Sequence, residues 1–127
     1  MKKRLLLVDD SLLDVLLTLR AIEECGLKDE CEMAADGAEA YALAVQSIFD
    51  LVLLDIKMPC IDGLALLEKL RAHAGFTTPV IILSSSNMAR DHERAIALGA
   101  VDYVHKALEF SHFQSSLKQA LVRHGFC

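Results

Sequence analysis

Asp9, Asp10, Asp55, Ser84 and Lys106 are the residues of this chain whose types and placement suit chemistry. Each stands at or just beyond the end of a short apolar run. Asp9 and Asp10 follow LLLV, Asp55 follows LVLL, Ser84 follows VIIL, and Lys106 comes shortly after Val104. Apolar runs of this length without polar alternation belong to strands buried on both faces, as in a parallel sheet covered by helices. In open α/β sheets the carboxyl edge of such strands is where ligands gather.

For a doubly wound sheet in the flavodoxin-like order 2-1-3-4-5, the first and third strands are neighbours where the winding reverses. Asp9, Asp10 and Asp55 then converge. Two like charges about 4 Å apart at an effective dielectric near 20 repel by roughly 4 kcal/mol, so the cluster must hold protons or bind a cation. Hard oxygen ligands with room for water suit Mg²⁺, whereas zinc calls for nearby His or Cys. A lysine and a serine hydroxyl on the same edge complete a phosphate site, the ammonium neutralising oxygens and the hydroxyl donating to another. Asp55, with no base beside it, is the candidate nucleophile, attacking phosphorus as a carboxylate. Plainer readings stand beside these: Asp9 and Asp10 as helix caps, Asp55 as a turn residue, Ser84 as part of a serine-rich turn, and Lys106 as a solvated loop lysine.

The elements that must position these groups are legible from periodicity. Strands are expected at 3–8, 30–34, 51–54, 80–83 and 101–104. Between and after them, helical spacing appears at Leu12, Val15, Leu16, Leu19 and Ile22, then at about 36–47 and 63–72. It returns at Met88, His92, Ala95, Ile96 and Gly99, and again at Phe110, Phe113, Leu117, Ala120 and Leu121. Asp36 with Glu39 three residues on resembles a capping box. Five strand-then-helix repeats imply the doubly wound (βα)5 class: a five-stranded parallel sheet with helices on both faces. The 127 residues are expected to form one domain, 1–127, with a proper core.

A net charge of −5 and the lack of a basic stripe disfavour general binding to nucleic acid or anionic membrane. Apolar stretches are too short for a membrane span or a signal-peptide core. Cys25, Cys31, Cys60 and Cys127 lack C-x-x-C spacing and the five histidines lack metal-ligand spacing, which predicts reduced thiols in a cytoplasmic protein.

VDDS at 8–11, LLDIKMPCIDG at 53–63, PVIILSS at 79–85 and GAVDYVHK at 99–106 occur in the order of the strands. With them the chain resembles the receiver domain of two-component response regulators over essentially its whole length. TLRAIEECGLKDE and SSSNMARDHERAIALGA look most like the single-domain receivers, chemotaxis-type or phytochrome-associated. The resemblance implies that Asp55 is the phospho-acceptor. It implies direct Mg²⁺ ligation by Asp10, Asp55 and the backbone carbonyl of Lys57, with Asp9 acting mainly through water. Lys106 would bind the phosphoryl group, Ser84 would swing toward it, and Tyr103 would follow by changing rotamer, altering the surface formed by the fourth helix, fifth strand and fifth helix. The alternative for Tyr103 is simple packing, common for aromatics in strands.

Two residues depart from the family pattern. Ala107 replaces the proline that usually follows the lysine across a cis bond. A cis bond before a non-proline residue costs about 3 kcal/mol, so a trans Lys106–Ala107 bond and a shifted loop are expected. Lys57 puts a cation where many relatives are neutral, and is expected to alter the lifetime of the phosphoryl group.

The implied function is a phosphorylation-activated switch, not an enzyme acting on other substrates. A sensor histidine kinase, of the phytochrome type, or a histidine phosphotransfer protein would load it. Its output would pass by protein contacts to an unknown target, without an attached output domain, from a monomer or weak homodimer. Leu13 and Leu17 on the first helix are a candidate kinase-docking patch, the alternative being that they are core. The rival function is a phosphorylation-independent interaction module on the same fold. A haloacid-dehalogenase-type phosphatase needs Asp-x-Asp where this chain has adjacent Asp9 and Asp10. In a flavodoxin-like cofactor carrier, the acidic first loop would repel phosphate.

Overall fold

The structure, a computed structural model, describes residues 3–58, 62–86 and 88–127. The expectation of a reduced thiol at Cys60 lies outside the described residues.

Five strands and five helices alternate: β1 Leu5–Val8, α1 Leu12–Glu23, β2 Cys31–Ala34, α2 Gly37–Gln46, β3 Leu51–Asp55, α3 Gly63–Ala72, β4 Val80–Ser84, α4 Ala89–Ala97, β5 Asp102–His105 and α5 Phe110–Arg123. The strands form one sheet in the order β2-β1-β3-β4-β5, with every neighbouring pair parallel. That is the expected flavodoxin-like topology, and β1 and β3 do meet at the switch point.

Every residue of β1, β3 and β4 is buried, and their alternation feeds two separate cores. Leu6, Val8, Val52, Leu54, Val80 and Ile82 face a core shared with Ala40 and Ala44 of α2, Leu64, Leu67 and Leu70 of α3, and Ala95 of α4. Leu5, Leu7, Leu51, Leu53, Ile81 and Leu83 face the opposite core with Val15 and Ile22 of α1 and with Phe113, Leu117 and Leu121 of α5. Two-sided burial explains why these strands read as continuous apolar runs.

The first three helices start where short polar side chains satisfy free N–H groups. Ser11 accepts from the backbone of Asp14 at 3.3 Å, Asp36 from Glu39 at 2.8 Å and Asp62 from Ala65 at 2.8 Å. The α1 cap is therefore Ser11, not Asp9 or Asp10.

Two expectations need correction. On α1 the buried residues are Val15, Thr18, Ala21 and Ile22. Leu12 is 73% exposed and Leu16 55% exposed, so neither belongs to the core stripe predicted for them. The helix turns a narrow face to the sheet, and its remaining leucines point away. The second correction concerns the thiols: Cys25 and Cys127 form a disulfide across a sequence separation of 102. The end of α1 and the segment after α5 lie on the same side of the sheet, with Cys25 and Phe126 both packed against that core. Sequence spacing could not register this meeting. Cys31 is a free thiol, and burial pushes it up to about 11.

Candidate functional site

Strand register assembles the site. Val8 pairs with Leu54, which sets Asp9 and Asp55 side by side at adjacent strand ends. Asp55 pairs with Leu83, one residue before Ser84, and Ser84 pairs with His105, one residue before Lys106. The Lys106 backbone N–H extends this ladder by donating to the Ser84 carbonyl at 2.6 Å. The Lys106–Ala107 bond is trans, as expected for a non-proline residue.

One carboxylate oxygen each from Asp9, Asp10 and Asp55 falls within 4.8 Å of the others. Asp9 and Asp55 are buried and Asp10 is exposed. Lys106 reaches across the sheet edge to this cluster. Its Nζ lies 2.7 Å from Asp9 Oδ2, 3.1 Å from Asp14 Oδ2 and 3.4 Å from Asp55 Oδ1. The Ser11 backbone N–H donates to the other Asp9 oxygen at 3.0 Å.

Charge balance follows from this geometry. Burial pushes the Asp55 carboxyl up to about 6, and neighbouring Asp9 adds to that, while the Lys106 charge and hydrogen bond and a backbone hydrogen bond from Lys57 pull it back. Burial alone would lower Lys106. The hydrogen bond to Asp9 and the charges of Asp55 and Asp9 outweigh it, and the ammonium is held above its usual range. Lys106 offsets only part of the clustered negative charge. The donor set is all oxygen, open toward Asp10 and bordered by a shallow cleft of Asp10, Ile56, Lys57, Met58 and Asp62. It fits a hard divalent cation that keeps some of its water.

Ser84 is buried, and its Oγ accepts from the Ser86 backbone N–H at 3.0 Å. Both its plain role, a serine turn, and its position at the site are therefore visible. Tyr103 donates its hydroxyl to the Ser86 carbonyl at 2.7 Å and stacks on His92 of α4 with ring centroids 5.1 Å apart. It packs, and it packs on the same short loop that Ser84 anchors. Lys57 is exposed at the mouth of the cleft.

Sequence reasoning missed two residues. Gly63 was read only as a helix start, yet its N–H donates to the Ile56 carbonyl at 2.7 Å and a Cβ there would overlap the Asp55 carbonyl oxygen. The Asp62-Gly63 pair, following a strand end so closely, was the available signal. Asp14 carries no signal in the sequence, because nothing in its local spacing points to a lysine 92 residues away.

Comparison with known proteins agrees with this architecture. A family model described as the response regulator receiver domain matches residues 5–118. The transcriptional regulatory protein PrrA of Mycobacterium tuberculosis is 36% identical over 123 residues, covering 96% of this chain and 51% of that protein. The chain spans about half, or less, of the length of the first curated relatives it matches. Among solved structures, the chemotaxis protein CheY4 of Vibrio cholerae is 26% identical with a TM-score of 0.78, covering 94% of this chain and 98% of that one. The phosphorylated cyanobacterial phytochrome response regulator RcpA is 27% identical with a TM-score of 0.86, covering 95% and 92%. The order of the sheet, the acidic cluster at its switch point and the match over residues 5–118 lead to one conclusion: the chain belongs to the response regulator receiver domain family, the signalling modules of two-component systems.

Proposed function

We propose that Asp55 accepts a phosphoryl group from the phosphohistidine of a sensor histidine kinase or a phosphotransfer protein. The observation that carries this is the meeting of Asp55 with Asp9, Asp10 and the Lys106 ammonium at the carboxyl edge of the sheet. A carboxylate oxygen of Asp55 attacks phosphorus, the phosphorus–nitrogen bond breaks, and its electron pair stays on the imidazole of the donor. Lys106 neutralises an oxygen of the transferred group.

Asp10, Asp55 and the Lys57 carbonyl would hold Mg²⁺, with Asp9 supporting it mainly through water. When bound, the ion offsets the charge of the clustered carboxylates and of the phosphoryl oxygens. Lys57, exposed on the cleft that borders the site, would alter the lifetime of the phosphoryl group, and Lys57→Asn then changes the rate of dephosphorylation.

A path for the signal is supported by the loop after β4. Ser84 Oγ accepts from the Ser86 N–H and keeps its own O–H to donate to a phosphoryl oxygen; swinging toward that oxygen draws it away from Ser86. The Ser86 carbonyl holds the Tyr103 hydroxyl, and Tyr103 stacks on His92 of α4. Rearranging this loop releases the tyrosine and alters the surface of α4, β5 and α5, which shifts the population between two states. Of the two leucines expected to form a docking patch, Leu13 is exposed and Leu17 is half-buried; Leu13 with the exposed Leu12 and Leu16 of α1 offers an apolar surface for the phosphodonor. A phytochrome-type kinase is favoured as donor by the likeness to RcpA.

The test is phosphate incorporation from a small acyl-phosphate donor, with and without Mg²⁺, on wild type and Asp55→Asn. Mg²⁺-dependent labelling that disappears in the variant is expected. Equal labelling of the two proteins would place the acceptor on another residue, and no labelling in wild type would overturn the reading in favour of an interaction module independent of phosphorylation.

A further inference from the structure

Lys106 has three N–H donors, and three carboxylates surround them: Asp9 at 2.7 Å, Asp14 at 3.1 Å and Asp55 at 3.4 Å. Asp9 and Asp55 belong to the acidic cluster, and Asp14 does not. Asp14 sits in the first turn of α1, where its backbone N–H donates to the Ser11 cap. Asp14 and Lys106 both line a small cavity of about 60 Å³ between α1 and the β5–α5 connection, with Leu17, Thr18, Ala107 and Phe113.

The difference matters when the site changes state. On the reading that Asp55 accepts phosphate, Lys106 must redirect a donor to a new oxygen on Asp55, and the charge around Asp9 changes as well. A lysine side chain is a long flexible stem that loses rotamer entropy when held in one place. The connection that carries it has alanine at position 107, so no ring restricts the backbone there. Asp14 is the one carboxylate of the three that is neither the acceptor nor part of the acidic cluster, so neither change acts on it directly.

We propose that Asp14 is a positioning residue: it keeps the Lys106 ammonium within reach of Asp55, so that the phosphoryl group meets a preorganised cation. This rests on the phospho-acceptor reading of Asp55 and extends it to α1. Asp14 touches neither the acceptor nor the arriving group; it acts only through Lys106.

The test compares wild type, Asp14→Asn, Asp14→Glu, Lys106→Ala and the Asp14→Asn/Lys106→Ala double variant. Labelling by a small acyl phosphate in saturating Mg²⁺ is followed, with folded fractions checked by urea titration. Asp14→Asn is expected to slow labelling roughly tenfold, Asp14→Glu to recover most of the rate, and Asp14→Asn to add nothing once Lys106 is alanine. In the metal-free protein, exchange of the Lys106 ammonium protons with water, observed by NMR, should quicken in Asp14→Asn. Wild-type labelling rates in Asp14→Asn, or an equal loss with and without Lys106, would overturn the inference while leaving the phospho-acceptor reading intact. Absence of labelling in wild type would overturn both.

Discussion

Asp55 is buried with its carboxyl raised from 3.8 to about 6, chiefly by desolvation. Between those values the folded protein retains a proton that the unfolded chain has released, so the stability contributed by this group falls as pH rises through the window. At neutral pH the ionised carboxylate costs on the order of 1–3 kcal/mol in the absence of metal. Asp55→Asn, which is neutral and nearly isosteric, should therefore be more stable than wild type by about that amount in urea unfolding at pH 7 with a chelator present. The gap should close as the pH is lowered toward 4. A variant no more stable than wild type at pH 7 would show that Lys106 offsets the burial completely. Burial thus disfavours the ionised carboxylate at the position proposed for the phospho-acceptor. Asp9, Asp10, Asp55, Ser84 and Lys106 could be singled out in the sequence because each ends or follows an apolar run. Asp14 could not, because its partner is distant in the chain and its own surroundings read as an ordinary first helical turn.

The start of α3 and the end of β3 are locked together at Gly63. A Cβ there would overlap the Asp55 carbonyl oxygen and crowd Ile56, so Gly63→Ala must move either the helix or the strand end that holds Asp55. Overpacking of this kind costs about 1–3 kcal/mol. The variant should lose that much stability and label more slowly than its folded fraction explains; labelling in proportion to folded protein would show that the strain is absorbed away from Asp55. On α1 the sequence suggested a wider core stripe than exists. Leu13 is 65% exposed, so Leu13→Glu should leave stability within about 0.5 kcal/mol of wild type. It should also slow transfer from a phosphohistidine protein by roughly tenfold relative to transfer from a small donor, consistent with loss of an interface anchor. Equal slowing with both donors would place the docking surface elsewhere. Apolar spacing marked where each helix runs, but a leucine-rich helix has more apolar residues than one face can bury.

At the scale of the molecule, the sheet is closed on one side by α1 and α5, and the Cys25–Cys127 disulfide joins the ends of these two helices. A bridge enclosing so long a loop stabilises by about 2–4 kcal/mol, mainly by restricting the unfolded chain. Adding reductant, or replacing Cys25 by Ser, should lower the urea midpoint accordingly, and reductant should then have no further effect on the variant. A midpoint in wild type that ignores reductant would show that packing of Phe126 alone holds the segment. By itself the sequence determined the strand-then-helix order, the parallel sheet and the polar strand ends, because two-sided burial and helical periodicity are written locally in residue type. Which leucines of α1 face solvent, which carboxylates share one lysine, where a glycine touches a strand end and which cysteines meet were decided only by the tertiary structure. Each of these depends on the distance between groups far apart in the chain, and no local pattern encodes that distance.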